Sequence, residues 1–264
     1  KVLIPTAVEQ GAHVLSDVRV SWVEHDGREA RGVEAVALGA DGRPRARVRV
    51  RAGAVVLAAG AVGSAVVAGR SRLPDPHFRL GRGLALHPGV AVAGLFDERI
   101  EGFSGVPQSY ECTEWLDRSE HGSHRIWITT AFAHPIGAAV MLPGFGTWHR
   151  EWMLRYPHLA VLSAVLHDES VGHVGVRPDG RARVSYSLPR SGVRQLAQGT
   201  RACARLLLAA GARQVLVPST PPVVVDRVAD VDSIPDSVAA PHHASLTAVH
   251  PMGALALGDD PRSA

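Results

Sequence analysis

Between Arg51 and Arg70 the chain runs for eighteen residues, Ala52 to Gly69, without a charge. About 20 apolar residues cross a bilayer, so a span is the first reading to test. Gly and Ala dominate the run, however, and its four glycines would weaken a spanning helix. A three-part reading fits better. Val55-Val56-Leu57 is predicted to be a short strand buried on both faces, which appears as a continuous apolar run. Ala58-Ala59-Gly60-Ala61 forms a tight turn of small residues. Val62 to Arg70 then starts a helix, with Ser64 near its first turn.

Small residues between a strand and a helix have two uses. They let backbone N–H groups approach a ligand, and a helix N-terminus favours an anion such as a pyrophosphate. They also let a helix pack tightly on a sheet. From these residues alone both readings stand.

The remaining pattern is globular. Of 264 residues 46% are hydrophobic and 20% charged, enough for one large or two smaller domains. The formal charge is +3 and Lys1 is the sole lysine. The arginines are scattered rather than clustered, which argues against a nucleic-acid partner. Cys112 and Cys203 are too few for a disulfide framework or a CxxC metal site, and Cys203 falls on an apolar helix face. Strands are expected at Val18–Glu24, Gly32–Leu38, Ala46–Arg51 and Ala54–Leu57, with hairpin turns at Asp26-Gly27 and Asp41-Gly42. Further strands are expected at Gly89–Phe96, Val106–Cys112, His124–Ala131, Leu159–His167, Gly172–Arg177, Ala182–Ser187 and Gln214–Val217. Trp148–Tyr156 is predicted to be a helix. The clearest helix is Pro189–Gly211, where Val193, Leu196, Ala197, Thr200, Cys203, Ala204 and Leu207 recur at helical spacing. Its arginines 190, 194, 201 and 205 are placed on a solvated face. Residues 218–241, rich in Pro and Asp, read as loop.

Several chemistries lack their residues. No Gly-x-Gly-x-x-Gly occurs: Gly81-Arg82-Gly83 and Gly144-Phe145-Gly146 both miss the third glycine. Gly-x-Ser-x-Gly is absent, against a serine hydrolase. Adjacent His242 and His243 have no Cys or carboxylate at ligand spacing, so no metal is expected. His250, taken alone, is a His before Pro in a small-residue loop, a setting that is more often structural.

Three segments together change that weighting. Val55-Val56-Leu57-Ala58-Ala59-Gly60-Ala61 followed by Ser64 is one. Gly81-Arg82-Gly83-Leu84-Ala85-Leu86-His87-Pro88 is the second. The third is His250-Pro251-Met252-Gly253 with Gly258-Asp259-Asp260-Pro261. In order and spacing they resemble the second FAD-domain signature, the Gly-x-Asn-Leu-x-x-His-Pro segment and the active-site block of the glucose–methanol–choline (GMC) oxidoreductases. The resemblance covers essentially the whole chain. It implies a mixed α+β and α/β fold: part of a Rossmann-like FAD-binding domain with a β-meander over residues 1–90, then a substrate domain of antiparallel sheet covered by helices over 91–241. A segment 242–264 would return to the FAD domain. It implies FAD as cofactor and an alcohol as substrate, with His250 as the base or hydroxyl-positioning residue. Ala59, Gly60, Ser64, Pro251 and Met252 would lie at the cofactor, and Val20 would contact adenine through its backbone or be an ordinary strand residue. Residues 96–146 resemble the bacterial long-chain alcohol oxidase branch, so the alcohol could be a long one.

This sequence departs from the family at several points. Gly83 stands where Asn is usual, Arg72 where Gly is usual, and Ala65 where Pro or Ser is usual. Ala254-Leu255-Ala256-Leu257 replaces Thr-Cys-Arg-Met or Gly-Cys-Arg-Met. These changes motivate a rival reading, a diverged non-catalytic flavoprotein-like domain that binds a partner or lipid. The family's dinucleotide fingerprint and its second His or Asn are not in this sequence. The piece therefore reads as internal, and residues 1–264 alone are expected neither to retain FAD nor to be active. The sequence names neither the alcohol nor the electron acceptor.

Overall fold

The computed structural model describes residues 2–106, 108–117, 125–131, 134–169, 172–260 and 262. In chain order these residues form α1 (Leu3–Glu9), β1 (Val18–His25), β2 (Ala30–Leu38), β3 (Pro44–Arg51), α2 (Gly60–Arg70), β4 (Arg82–Leu84) and β5 (Gly89–Leu95). Then come β6 (Glu111–Cys112), β7 (Ile126–Thr130), α3 (Pro135–Met141), α4 (Gly146–Leu154), a 3₁₀ turn (Tyr156–His158), β8 (Leu159–Leu166), β9 (Gly172–Val176) and β10 (Ala182–Ser185). The last part holds α5 (Arg190–Ala209), β11 (Gln214–Val217), β12 (Val223–Val225), two 3₁₀ segments (Val228–Ser233 and Asp236–Ala239) and β13 (Leu246–Thr247). The mixed α/β composition with antiparallel sheets agrees with the expected class. His124 and Pro261 lie outside the described residues, as do parts of the expected 106–112 strand.

Contacts divide the chain into two compact units. The first comprises Lys1–Leu84, Val171–Tyr186 and Met252–Ala264; the second comprises Ala85–Ser170 and Ser187–Pro251. Beside the expected 1–90, 91–241 and returning 242–264, the first unit runs to Leu84, resumes at Met252 and adds the β9–β10 hairpin, which pairs with β4.

Unit one holds two small antiparallel sheets, β1-β2-β3 and β10-β9-β4. The Asp26-Gly27 turn forms as expected: Asp26 Oδ1 accepts N–H bonds from Arg28 and Glu29, each 2.9 Å. Ser71, fully buried at the C-terminal end of α2, ties that helix to the meander. Its hydroxyl accepts the Val23 N–H at 2.8 Å and donates to Val67 O at 2.7 Å. Three departures from the family pattern fall on left-handed backbone, and one of them finds its reason there. Gly83, Arg72 and Ala254 have φ of +78°, +53° and +64°. Glycine and asparagine tolerate that left-handed region, so Gly83 replaces Asn without changing what the backbone can do. Arg72 and Ala254 occupy it at some cost in strain.

One expectation fails. Val55–Leu57 is not a doubly buried strand: no described strand pairs with it, and Val56 is 87% exposed. An apolar run of this kind becomes a central strand only when neighbours bond both its edges. Residues 218–241 are more ordered than a loop, since they contain β12 and both 3₁₀ segments.

Unit two is built on an antiparallel sheet in the order β12-β11-β5-β8-β7-β6, with β13 also bonded to β5. On one face lies α5. Val90, Val92, Ile126, Ile128, Ala164 and Leu166 from the sheet meet Leu196, Ala197, Cys203, Ala204 and Leu207 of the helix. Burial pushes the Cys203 thiol well above its ordinary range, as expected of an inert core cysteine. Gly211, at φ +101°, follows the helix as its C-terminal glycine. Arg201 is not simply solvated. Its guanidinium donates to Ile234 O at 2.6 Å and to Asp236 at 2.7 Å, tying α5 to the 3₁₀ segments. On the opposite face, Trp152, Tyr156 and partners from α3 and α4 cover Ala93, Leu95, Leu159 and Leu216. They cover only that end of the sheet.

Helix α5 lies so close to the sheet that a Cβ on Gly199 would stand 2.8 Å from Ile126 Cγ2 and 2.9 Å from the Ala164 Cβ. Gly199→Leu is therefore expected to destabilise the protein by about 1–3 kcal/mol through overpacking. Gly137 in α3 faces open space, so Gly137→Ala should be neutral or stabilising by up to about 1 kcal/mol. Urea midpoints of the two variants check both signs.

Candidate functional site

Side chains alternate along a strand, so β5 has two jobs. Its even residues, Val90 and Val92, face α5. Its odd residues are small: Gly89, Ala91 and Ala93, then Leu95. They pair with Val165, Ser163, Val161 and Leu159 of β8. Where α3 and α4 stop covering this face, a cavity of about 250 Å³ opens. Ala91, Ala93, Trp127, Thr129, Val161, Ser163 and Val165 line it from the sheet, and Ala138, Met141 and Leu142 from the α3 region. The other end is closed by Tyr156, Leu159 and Leu216. The wall is overwhelmingly apolar because these residues belong to the same alternating rows that form the core.

The polar end is assembled from four parts of unit two. His87-Pro88 leads into β5. His167-Asp168 follows β8, held there because Leu166 N–H donates to Pro88 O (2.9 Å) and His167 N–H to Arg125 O (2.8 Å). Trp127 comes from β7, its indole N–H fixed on Glu111 Oε2 at 2.8 Å. His250 follows β13, whose Thr247 pairs with Gly89. That pairing places residue 250 beside residue 87 although the sequence separates them by more than 160 positions. Ring centroids lie 6.4 Å apart for His87–His250, 5.3 Å for His87–His167 and 6.4 Å for Trp127–His250. His250 and Val249 line the cavity, and His250 is exposed.

His87 has φ +49°, uncommon for a residue with a side chain. Asp168, only 8% exposed, holds this corner: Oδ1 accepts the His87 N–H at 3.1 Å and Oδ2 the Leu86 N–H at 3.3 Å. Desolvation lowers the affinity of the His87 imidazole for a proton. The Asp168 carboxylate opposes this, and His167 and His250 add to it. Among the described residues no group of His, Cys, Asp and Glu is placed to hold a metal ion, despite the three imidazoles.

The other candidate residues fall as follows. Ala59 and Gly60 are exposed at the start of α2, and Gly60 has φ +71° with nothing within 4 Å of a Cβ built on it. Ser64 is buried, and its hydroxyl accepts the Ala59 N–H at 2.9 Å and lies 3.4 Å from Leu57 O. The hydroxyl thus shapes the corner from inside. Val20 sits on β1 opposite Ala35, half-exposed. Pro251 ends the second unit and Met252, 55% exposed, begins the last piece of the first. Gly253 is locked within unit one, since a Cβ there would collide with Gly83 O, and Ala254 O accepts the Gly81 N–H at 2.8 Å. Sequence reasoning missed the chemistry around His87, Trp127, His167 and Asp168. His87 lies in a quoted motif, but nothing in the sequence links the other three to His250.

Comparison with known proteins adds the following. A sequence profile described as GMC oxidoreductase matches residues 1–89. An uncharacterized GMC-type oxidoreductase of Mycobacterium tuberculosis is 35% identical over 263 residues, covering 97% of this chain and 39% of that protein. A long-chain-alcohol oxidase of Arabidopsis thaliana is 26% identical over 206 residues, 76% of this chain and 26% of that protein. The chain thus spans well under half the length of these relatives. Two solved structures of an Aspergillus oryzae formate oxidase, titled for the effect of a mutation on FAD modification, share the fold. Their TM-scores are 0.51 and 0.56 at 14% and 12% identity. They cover 74% and 90% of this chain, and 43% and 50% of theirs.

The depressed proton affinity of His87 makes a stability prediction. The unfolded chain takes up a proton near the ordinary value of about 6.5, while the folded chain resists until lower pH. The unfolded state then binds more protons, so stability should fall as pH drops below that value. Urea unfolding at pH 7 and pH 5.5 should show this loss, and His87→Gln should reduce it.

Proposed function

The chain belongs to the GMC oxidoreductase family, and from that premise we propose that it contributes to FAD-dependent oxidation of an alcohol to an aldehyde or ketone, with His250 handling the hydroxyl proton. The observation that carries this reading is the placement of His250 at one end of a mainly apolar cavity in unit two. An alcohol needs both parts: a base or acceptor for its hydroxyl and a dry wall for its carbon skeleton.

Whether the chain suits FAD is tested at the start of α2. A helix leaves its first N–H groups without intrahelical partners, and the dipole there favours an anion. Here those groups follow a corner of small residues, exposed at Ala59 and Gly60, with open space where a side chain would stand on Gly60. The site fits a pyrophosphate. Gly60 would hold it through its backbone, with Ala59, whose N–H is bonded to Ser64, shaping the corner beside it; Val20, Pro251 and Met252 are the further candidate contacts. When bound, FAD supplies the hydride acceptor.

The remaining chemistry belongs to the protein. Neutral imidazole at His250 accepts a hydrogen bond from the substrate hydroxyl and takes its proton as the carbinol carbon is oxidised. The same hydrogen bond fixes the substrate's orientation. Trp127, braced on Glu111, restricts the imidazole from one side, and His87 from another. A neighbouring imidazole with depressed proton affinity stays uncharged near neutral pH and does not repel a proton arriving on His250. The apolar walls displace water from the carbon skeleton as the cavity fills.

Replacing His250 by Ala in the flavin-loaded full-length protein should slow anaerobic flavin reduction by an alcohol by about 10²- to 10⁴-fold, the range of a lost general base. Stopped-flow absorbance of the flavin is the measurement. An unchanged reduction rate would remove His250 from the mechanism. Failure of every alcohol to reduce the parent protein would favour a non-catalytic flavoprotein-like domain.

A further inference from the structure

We infer that the unit-two cavity selects an aliphatic alcohol of about ten carbons at most, and that the small side chain of Ala91 keeps that room open. The inference rests on the alcohol reading above and deepens it. Two independent dimensions lead to the same size. The cavity measures about 250 Å³; an engineered cavity of about 150 Å³ accepts benzene, six heavy atoms, so this one has room for about ten. Its lining also runs lengthwise along β5. Thr247 and Val165 stand at the level of Gly89, and Leu216 and Val161 at the level of Ala93. Four residues of strand cover about 13–14 Å.

The channel is also polarised. His250, Val249 and Thr247 lie at one end. Tyr156, Leu142 and Leu216 close the other, and Tyr156 is buried against Phe103 with ring centroids 5.5 Å apart. An alcohol enters with its hydroxyl at the imidazole and its terminal methyl towards that floor. Midway, Ala91 faces Ser163 across the β5–β8 pair. It is half-buried, whereas Ala93 beyond it already packs into the second core cluster. Any side chain longer than a methyl at position 91 projects into the channel rather than into α5, because even residues alone face the helix.

The test is calorimetric titration of the purified full chain with 1-alkanols from butanol to dodecanol. Affinity should rise about three- to fourfold per methylene and level off at about ten carbons. Ala91→Leu, which adds three carbons to the wall, should bring the break about three carbons earlier. Far-UV circular dichroism and the urea midpoint verify its fold; if it does not fold, Ala91→Val serves, with a break one or two carbons earlier. A slope that continues unchanged to dodecanol overturns the inference, and so does a folded position-91 variant with the parent's break. His250→Gln separates this from the catalytic reading. A break retained in His250→Gln while flavin reduction is lost supports both readings; a break retained in a flavin-loaded parent that no alcohol reduces supports the channel while removing the alcohol-oxidation reading.

Discussion

The antiparallel bonding of β5 to its neighbours is the constraint on which the second unit depends. This one strand pairs with β11, β8 and β13. The β8 pairing builds the cavity wall, and the short β13 pairing brings His250 to the cavity end. Two residue pairs, Leu246 with Val90 and Thr247 with Gly89, fix that register. A slip of one residue would turn the alternate rows over, sending valines into the cavity and alanines against α5. The position of the imidazole is thus a property of sheet register, with local loop sequence in a secondary part.

The carboxylate of Asp168 works on the other side of the same corner. It accepts two successive backbone N–H groups, and in doing so stabilises a left-handed residue that carries a side chain. Strained conformations of this kind persist where the surroundings over-determine them. Around His87 they do: Pro88 is bonded to β8, Gly89 to β13, and the His87 amide to a buried acid.

What the sequence made legible follows from what is local. Hairpin turns at Asp26-Gly27 and Asp41-Gly42, and the apolar stripe of α5, are set by neighbours within a few residues, and they form near the expected positions. The His-Pro and His-Pro-Met-Gly segments were recognisable as motifs. Their meeting was not derivable from spacing, because β13 is only two residues long and has no strand signal of its own. Trp127 and Asp168 came to light only with the sheet in hand. The Val55–Leu57 run misled for the complementary reason: apolar residues alone cannot say whether partners bond the strand's edges. The family departure at position 83 became intelligible only once φ was known, since glycine and asparagine both tolerate its left-handed backbone.

The division of labour along β5 has a consequence for how such a protein can change over time. Residues whose side chains meet the helix are answerable to folding, and those turned the other way are answerable to whatever molecule is admitted. Because the two sets interleave one by one, mutations can resize the binding space without loosening the framework that carries it. Ligand preference in this unit can therefore drift on a scaffold that stands still.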